Sequence, residues 1–191
     1  MTRFSLPTGA LLACLVLAAG CFTPAQYVAM NQQNYAKSPT LDSKATWRVA
    51  VLPPTSKLGH DPQPADGLQD QAGMVLMRTG RFTVVDRAVV DQLLEEQAFS
   101  YSGVVDPGKA VELGRLLGAE AVLTLNVTQL KHDPFWDDHP EQRDAELHAK
   151  LISVETAEVL YSAVGTGSDF DGAEGALRGA LEVALHGLSR Q

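Results

Sequence analysis

Trp47-Arg48-Val49-Ala50-Val51-Leu52-Pro53-Pro54 is the stretch from which the fold is read. Val49 to Leu52 is an unbroken apolar run, and two prolines that cannot continue a ladder close it, the pattern of a buried strand. A folded domain is therefore expected to begin at Trp47. After a Gly/Pro/Asp-rich loop to about Pro64, Leu68, Ala72, Val75, Leu76 and Thr79 fall on one helical face that stops at Gly80, a C-cap residue. Phe82-Thr83-Val84-Val85 makes the next strand, and Asp86 is placed to cap a helix striped by Val89, Val90, Leu93, Leu94 and Gln97. Asp106-Pro107 is an N-cap followed by proline at the first helical position, opening a helix with Ala110, Leu113, Gly114 and Leu117 on one face.

Beyond Gly118 the pattern changes. Ala121 to Val127 is a long strand, and a polar loop runs from Lys131 to Gln142. Leu147–Val154 and Val159–Gly165 alternate around the turn Glu155-Thr156-Ala157-Glu158 and form a hairpin. Asp171 with Glu174 three residues on has the form of a capping box, ahead of the stripe Leu177, Ala180, Leu181, Ala184, Leu185 and Leu188. The expected fold is α/β (α+β), one domain over 47–190, with a mixed sheet of about five strands and about four packed helices. No internal repeat is visible.

The residues ahead of Trp47 decide the compartment. Arg3, the apolar run Ala10–Leu17 and the small residues Ala18-Ala19-Gly20 before Cys21 form a secretory signal over 1–20, too short for a comfortable membrane span. This resembles the bacterial lipoprotein signal, whose lipobox reads Leu, a small residue, Gly or Ala, then Cys; here Leu17 sits one place early and Ala18 holds the Leu position. The resemblance implies acylation of Cys21 with palmitate-type chains, the alternative being an ordinary signal with a buried cysteine nearby. Several acyl chains make a durable anchor where one is marginal. In enteric-type sorting an Asp after the cysteine favours the inner membrane, so Phe22 implies the outer one. The Gln/Asn-rich segment completing 21–46 reads as a flexible tether, or as an irregular arm docked through Tyr27, Met30 and Tyr35.

Composition narrows the function. Cys14 leaves with the signal and Cys21 is linked to lipid, so no pair remains for a disulfide and the fold must live on its core. Loss of residues 1–20 leaves 171 residues, with 14 Lys+Arg against 23 Asp+Glu, a net of −9. Such acidity argues against nucleic acid as a partner. No Gly-x-Ser-x-Gly elbow, phosphate-binding loop or His-Glu-x-x-His helix occurs, which points away from an enzyme, and no cofactor is implied. Asp86 and Arg87 read as a cap and a solvated first-turn residue, and Glu95 and Glu96 as an exposed helix face.

The stretches Trp47–Pro54, Gly80–Arg87, Leu93–Gln97 and Leu113–Leu123, with the hairpin Leu151–Leu160, resemble the CsgG family of curli-assembly lipoproteins. Ala157 stands where that family usually has Gly. The same fold resembles LpoB, which activates a peptidoglycan synthase, and the N-terminal domain of TolB. The resemblance implies a non-enzymatic, outer-membrane-anchored periplasmic lipoprotein, an assembly or secretion accessory that acts on other envelope proteins and forms a homo-oligomer through side-to-side contacts. The alternatives are an LpoB-like activator and, second, a component of a curli export channel.

CsgG itself carries two long membrane hairpins, and each membrane strand needs about 9–11 alternating residues. The insertions here would fall at Lys131–Gln142 and Gly165–Gly172. The first is short, charged and broken by Pro134 and Pro140; the second holds Asp169 and Asp171. Both are expected to be water-exposed connections, so this chain makes no pore. His132, Asp133, Asp137, Asp138 and His139 are metal-ligand types at a spacing that fits no zinc pattern, so no metal is assigned. Phe135-Trp136 in that acidic loop is the candidate partner contact, unless the pair folds back onto the domain. Cys21→Ser should release the protein into the soluble periplasmic fraction and abolish incorporation of labelled fatty acid; a wild-type protein that is soluble and unlabelled refutes the anchor.

Overall fold

A computed structural model describes residues 34–56, 67–96, 106–131, 143–170 and 172–189. The elements are β1 (Tyr35–Lys37), a 3-10 turn (Pro39–Ser43), β2 (Trp47–Val51), β3 (Thr55–Ser56), α1 (Leu68–Arg78), β4 (Phe82–Val84), α2 (Arg87–Glu96), α3 (Pro107–Leu116), β5 (Ala121–Lys131), β6 (Arg143–Ser153), β7 (Val159–Asp169), α4 (Ala173–Leu185) and a closing 3-10 turn (His186–Leu188). They form one mixed sheet in the order β1-β7-β6-β5-β2-β4, with β3 pairing β5 beyond the end of β2. β2 runs parallel to β4 and β5, whereas β6, β7 and β1 are antiparallel to their neighbours.

The unbroken apolar run of β2 follows from its central place. Trp47, Val49 and Val51 join the core beneath α1 and α4, while Ala50 and Leu52 join a second core beneath α2 and α3. A strand buried on both faces has no use for alternation. Among the described residues, the antiparallel half is covered by α4 on one side and does alternate: Leu147, Ala149 and Leu151 are buried under α4, and Glu146, His148 and Lys150 point to the other face.

The caps expected from sequence are formed. Asp86 Oδ1 accepts the Ala88 amide at 2.8 Å, Asp106 Oδ1 accepts the Gly108 amide at 2.8 Å, and Gly80 ends α1 with φ 71°. The turn residue Ala157 is left-handed, φ 58°, which explains why a glycine suits that position.

The sheet has seven strands rather than about five. The two additional ones, β1 and β3, are three and two residues long, too short to show any period. The described structure reaches back to Asn34, ahead of Trp47, and the described residues before β2 are docked. Tyr35 pairs with Ala163 and stacks on Tyr161 with ring centroids 5.6 Å apart. Leu41 is fully buried, and its carbonyl accepts both the Trp47 indole N–H (3.0 Å) and the Arg81 guanidinium (2.9 Å). Asp42 bridges Lys37 (2.8 Å) and Arg81 (3.0 Å), and the Lys37 ammonium is the main cause holding its carboxyl below the usual range. Tyr35 thus docks as an arm residue, and Tyr27 and Met30 lie outside the described residues.

Gly165–Gly172 is not a connection over most of its length: β7 runs to Asp169 and pairs with β6 throughout. The glycines there serve close approach. A Cβ on Gly165 would sit 1.9 Å from the Ala180 carbonyl oxygen, and one on Gly167 would sit 2.2 Å from that of Ala176, so α4 rests directly on the β7 backbone. The N-cap of α4 is Gly172, without a side-chain cap bond, and Glu174 pairs with Arg178 at 3.1 Å. Asp171 lies outside the described residues. Gly165→Ala should lower stability by about 3 kcal/mol, because backbone rather than a side-chain tip must move. Ala157→Gly should raise it by about 0.5–1 kcal/mol by relieving the left-handed residue. Urea midpoints of the two variants check both signs.

Candidate interaction surface

Cys21, Phe135 and Trp136 all lie outside the described residues, as do the ligand-type residues of their loop. The structure does place the loop's roots: Lys131 is opposite Asp144 and Arg143 is opposite Asp169, so 132–142 springs from one end of the β5–β6 hairpin. Among the described residues, no group of three or more His, Cys, Asp or Glu side chains gathers as for a metal. Arg87 is not simply solvated: its guanidinium pairs with Asp70 (2.8 Å) and Asp91 (3.2 Å), tying α2 to α1, and the bond to Asp70 is the main reason its pKa rises. Glu95 and Glu96 are exposed, as read from sequence.

Two surfaces stand out once the layers are known. The first is the uncovered face of β5, β6 and β7, with Thr124, Asn126, His148 and Lys150 in adjacent registers. Glu146 on this face accepts the Thr128 hydroxyl at 2.6 Å and lies 3.4 Å from His148 Nε2. The Thr128 bond is the main cause of its lowered pKa, with His148 contributing. Beside it, a dent of about 100 Å³ is lined by Thr55, Pro107, Asn126 and Lys150, and the buried Asn126 Oδ1 has no hydrogen-bond partner. The second surface is a groove of about 330 Å³ between α1 and α4, edged by Arg78, Arg178, Glu174 and Glu182. Met74 on its wall is 47% exposed, and Met77 on the same helix is 54% exposed. Pliable thioethers at an open helix face are contact material. Sequence reasoning missed both surfaces. Alternation marks two faces on a strand without saying which one a helix covers, and Met74 and Met77 had no part in the α1 stripe.

Among the described residues, the mixed sheet has helices on both sides of its parallel half and one face left open on its antiparallel half. Residues 44–134 match the family model described as "Curli production assembly/transport component CsgG". Through that segment, the chain is similar to the CsgG family. The match stops short of the β6–β7 hairpin and α4, which the sequence resemblance over 47–190 included.

Among solved structures, the fold is similar to the PelC dodecamer from Paraburkholderia phytofirmans, with a TM-score of 0.56, 17% identity, and 82% of this chain and 96% of that one covered. It is also similar to the lipoprotein GNA1162 from Neisseria meningitidis, with a TM-score of 0.55, 18% identity, and 74% and 96% covered. The NMR structure of E. coli LpoB is a looser likeness at a TM-score of 0.48 and 17% identity, covering 64% of this chain and 56% of that one. No curated protein sequence matches the chain.

The Glu146 cluster gives a pH prediction for the open face. A carboxyl whose pKa is lower in the native than in the unfolded chain adds stability above the unfolded value, and loses it as pH falls through the folded one. Glu146→Gln should therefore cost about 1 kcal/mol at neutral pH, and the difference from wild type should vanish as pH falls through and below the ordinary glutamate range near ~4.3. Urea midpoints measured between those pH values check this.

Proposed function

We propose that this chain is an exported lipoprotein acylated at Cys21 after removal of residues 1–20. It is held at the periplasmic side of the outer membrane and serves as a non-enzymatic accessory in envelope assembly or secretion. It works through contacts with other envelope proteins and with copies of itself. The observation that carries this reading is the CsgG-family match on a domain whose described residues leave a sheet face and a helix groove uncovered. The lipobox at Ala18–Cys21 supports the anchor. The likeness to a solved dodecamer, PelC, supports self-association, and the likeness to the lipoprotein GNA1162 supports the envelope location.

The strands argue against a pore made by this chain. A lipid-facing strand needs one apolar face turned to hydrocarbon. In β5–β7 the apolar face lies under α4, and the open face carries Asn126, Glu146, His148 and Lys150. The 11 residues of 132–142 are about half of what two membrane strands require. Purified lipoprotein held on planar bilayers by its lipid should give no conductance steps above a lipid-only control. Stable openings that disappear when 132–142 is replaced by a short Gly/Ser turn would restore the export-channel reading. Crosslinking in intact envelopes should recover components of a secretion or fibre-assembly system together with self-crosslinks. Recovery of a peptidoglycan synthase in their place would favour the LpoB-like alternative.

A further inference from the structure

A recess of about 330 Å³ lies at the end of the sheet where β5 begins opposite the last residue of β6, lined by Lys44, Trp47, Arg115, Glu120, Ser153 and Glu155. Packing and backbone bonds fix its walls. A Cβ on Gly114 would meet Val154 Cγ2 at 2.5 Å, so α3 presses onto the residue that follows β6 and holds Arg115 close by. The end of α3 is a Schellman motif: the Gly118 amide bonds to the Arg115 carbonyl at 3.1 Å and the Ala119 amide to the Gly114 carbonyl at 2.9 Å. The Val154 amide donates to the Glu120 carbonyl at 2.9 Å, and the Ala157 amide fastens the next turn to the Ser153 carbonyl at 3.0 Å.

Some of the polar groups in this recess are spent within the fold and others are not. Glu120 is spent: Oε1 accepts from the Lys44 ammonium at 2.9 Å and Oε2 from the Arg48 amide at 2.9 Å. Arg115 and Glu155 are exposed, and their side chains make no ion pair or hydrogen bond among the described residues. The Arg115 guanidinium is not required by the helix end, where the Schellman bonds already satisfy the Gly114 and Arg115 carbonyls. Ser153 is 4% exposed and its Oγ accepts the Thr156 amide at 3.3 Å, but its own hydroxyl hydrogen has no acceptor among the described residues. A buried hydroxyl with a donor unspent, beside one unpaired cation and one unpaired anion, is a set of groups that a ligand completes.

We propose that this recess binds a small zwitterion of amino-acid to dipeptide size. The Arg115 guanidinium and the Ser153 hydroxyl take its carboxylate, the Glu155 carboxylate takes its ammonium, and Val154 and Ala119 meet its apolar part. A guanidinium fork matches a carboxylate in geometry as well as charge. The charges of Lys44 and Arg115 against those of Glu120 and Glu155 sum to zero, so a molecule carrying both signs is matched where a plain anion or cation meets a like charge. The volume stands at the lower bound of small-molecule sites, roughly 300 Å³, which suits a dipeptide and excludes a long polymer held along its length.

The test is titration of the full protein in mild detergent with the dipeptide Ala-Ala, its N-acetyl form and its C-terminal amide, read by calorimetry. Wild type should bind Ala-Ala, and removal of either charge from the dipeptide should weaken binding by at least about tenfold. Arg115→Gln should weaken Ala-Ala by a similar factor and make it indistinguishable from its amide. Glu155→Gln should make Ala-Ala indistinguishable from its N-acetyl form. Both substitutions change exposed side chains, so thermal midpoints should match wild type.

Ala-Ala that gives no saturable binding at about 10 mM overturns the site. Blocked forms that bind as tightly as Ala-Ala overturn the zwitterion. A requirement for both charges that neither Arg115→Gln nor Glu155→Gln alters overturns the assignment to this recess.

Discussion

The contact of α4 with the bare backbone of β7 is the constraint on which the rest of this structure depends. Ala176, Ala180 and Ala184 form a ridge at four-residue spacing, and Gly165 and Gly167 present no side chain to it. Leu177, Leu181 and Leu185 flank the ridge and fill the core under β6 and β7. The helix thus lies close enough for the Tyr161 hydroxyl to donate to the Ala184 carbonyl at 2.7 Å, in surroundings whose burial pushes that phenol's pKa up. An interior packed at this density leaves little room for an added methyl group. Because α4 satisfies the apolar side of the hairpin, the other side is free to be polar.

The N-terminal arm closes the same core from the edge. Tyr35 lies against Tyr161, Leu41 plugs the layer beneath α1 and α4, and Arg81 gathers Asp42 and the Leu41 carbonyl from across the sheet. Lys44 lies 4.7 Å over the Trp47 ring and also pairs with Glu120. The arm is held by the buried Leu41, the half-buried Tyr35, short strand pairing and several ion pairs.

Among its described residues the domain presents two open surfaces. Its open sheet face is polar and hydrogen-bonded within itself, as in the Thr128, Glu146 and His148 group, and its helix groove mixes charges of both signs around Met74.

The sequence by itself determined the elements whose signal is local. The run Val49–Leu52, the caps at Asp86 and Asp106, the stop at Gly80 and the stripe of α4 could be read because each depends on near neighbours along the chain. Leu68, Ala72 and Leu76 were likewise legible as a buried stripe, since helical spacing alone brings them together. The tertiary structure alone decided three further matters. It gave Gly165 and Gly167 to a strand, because their small size answers a helix that approaches from elsewhere in the chain. It made Tyr35 and Leu41 part of the core, because a three-residue strand has no period and gains its stability from β7. It also chose which face of β5–β7 stays open, because alternation is the same whichever side a helix covers.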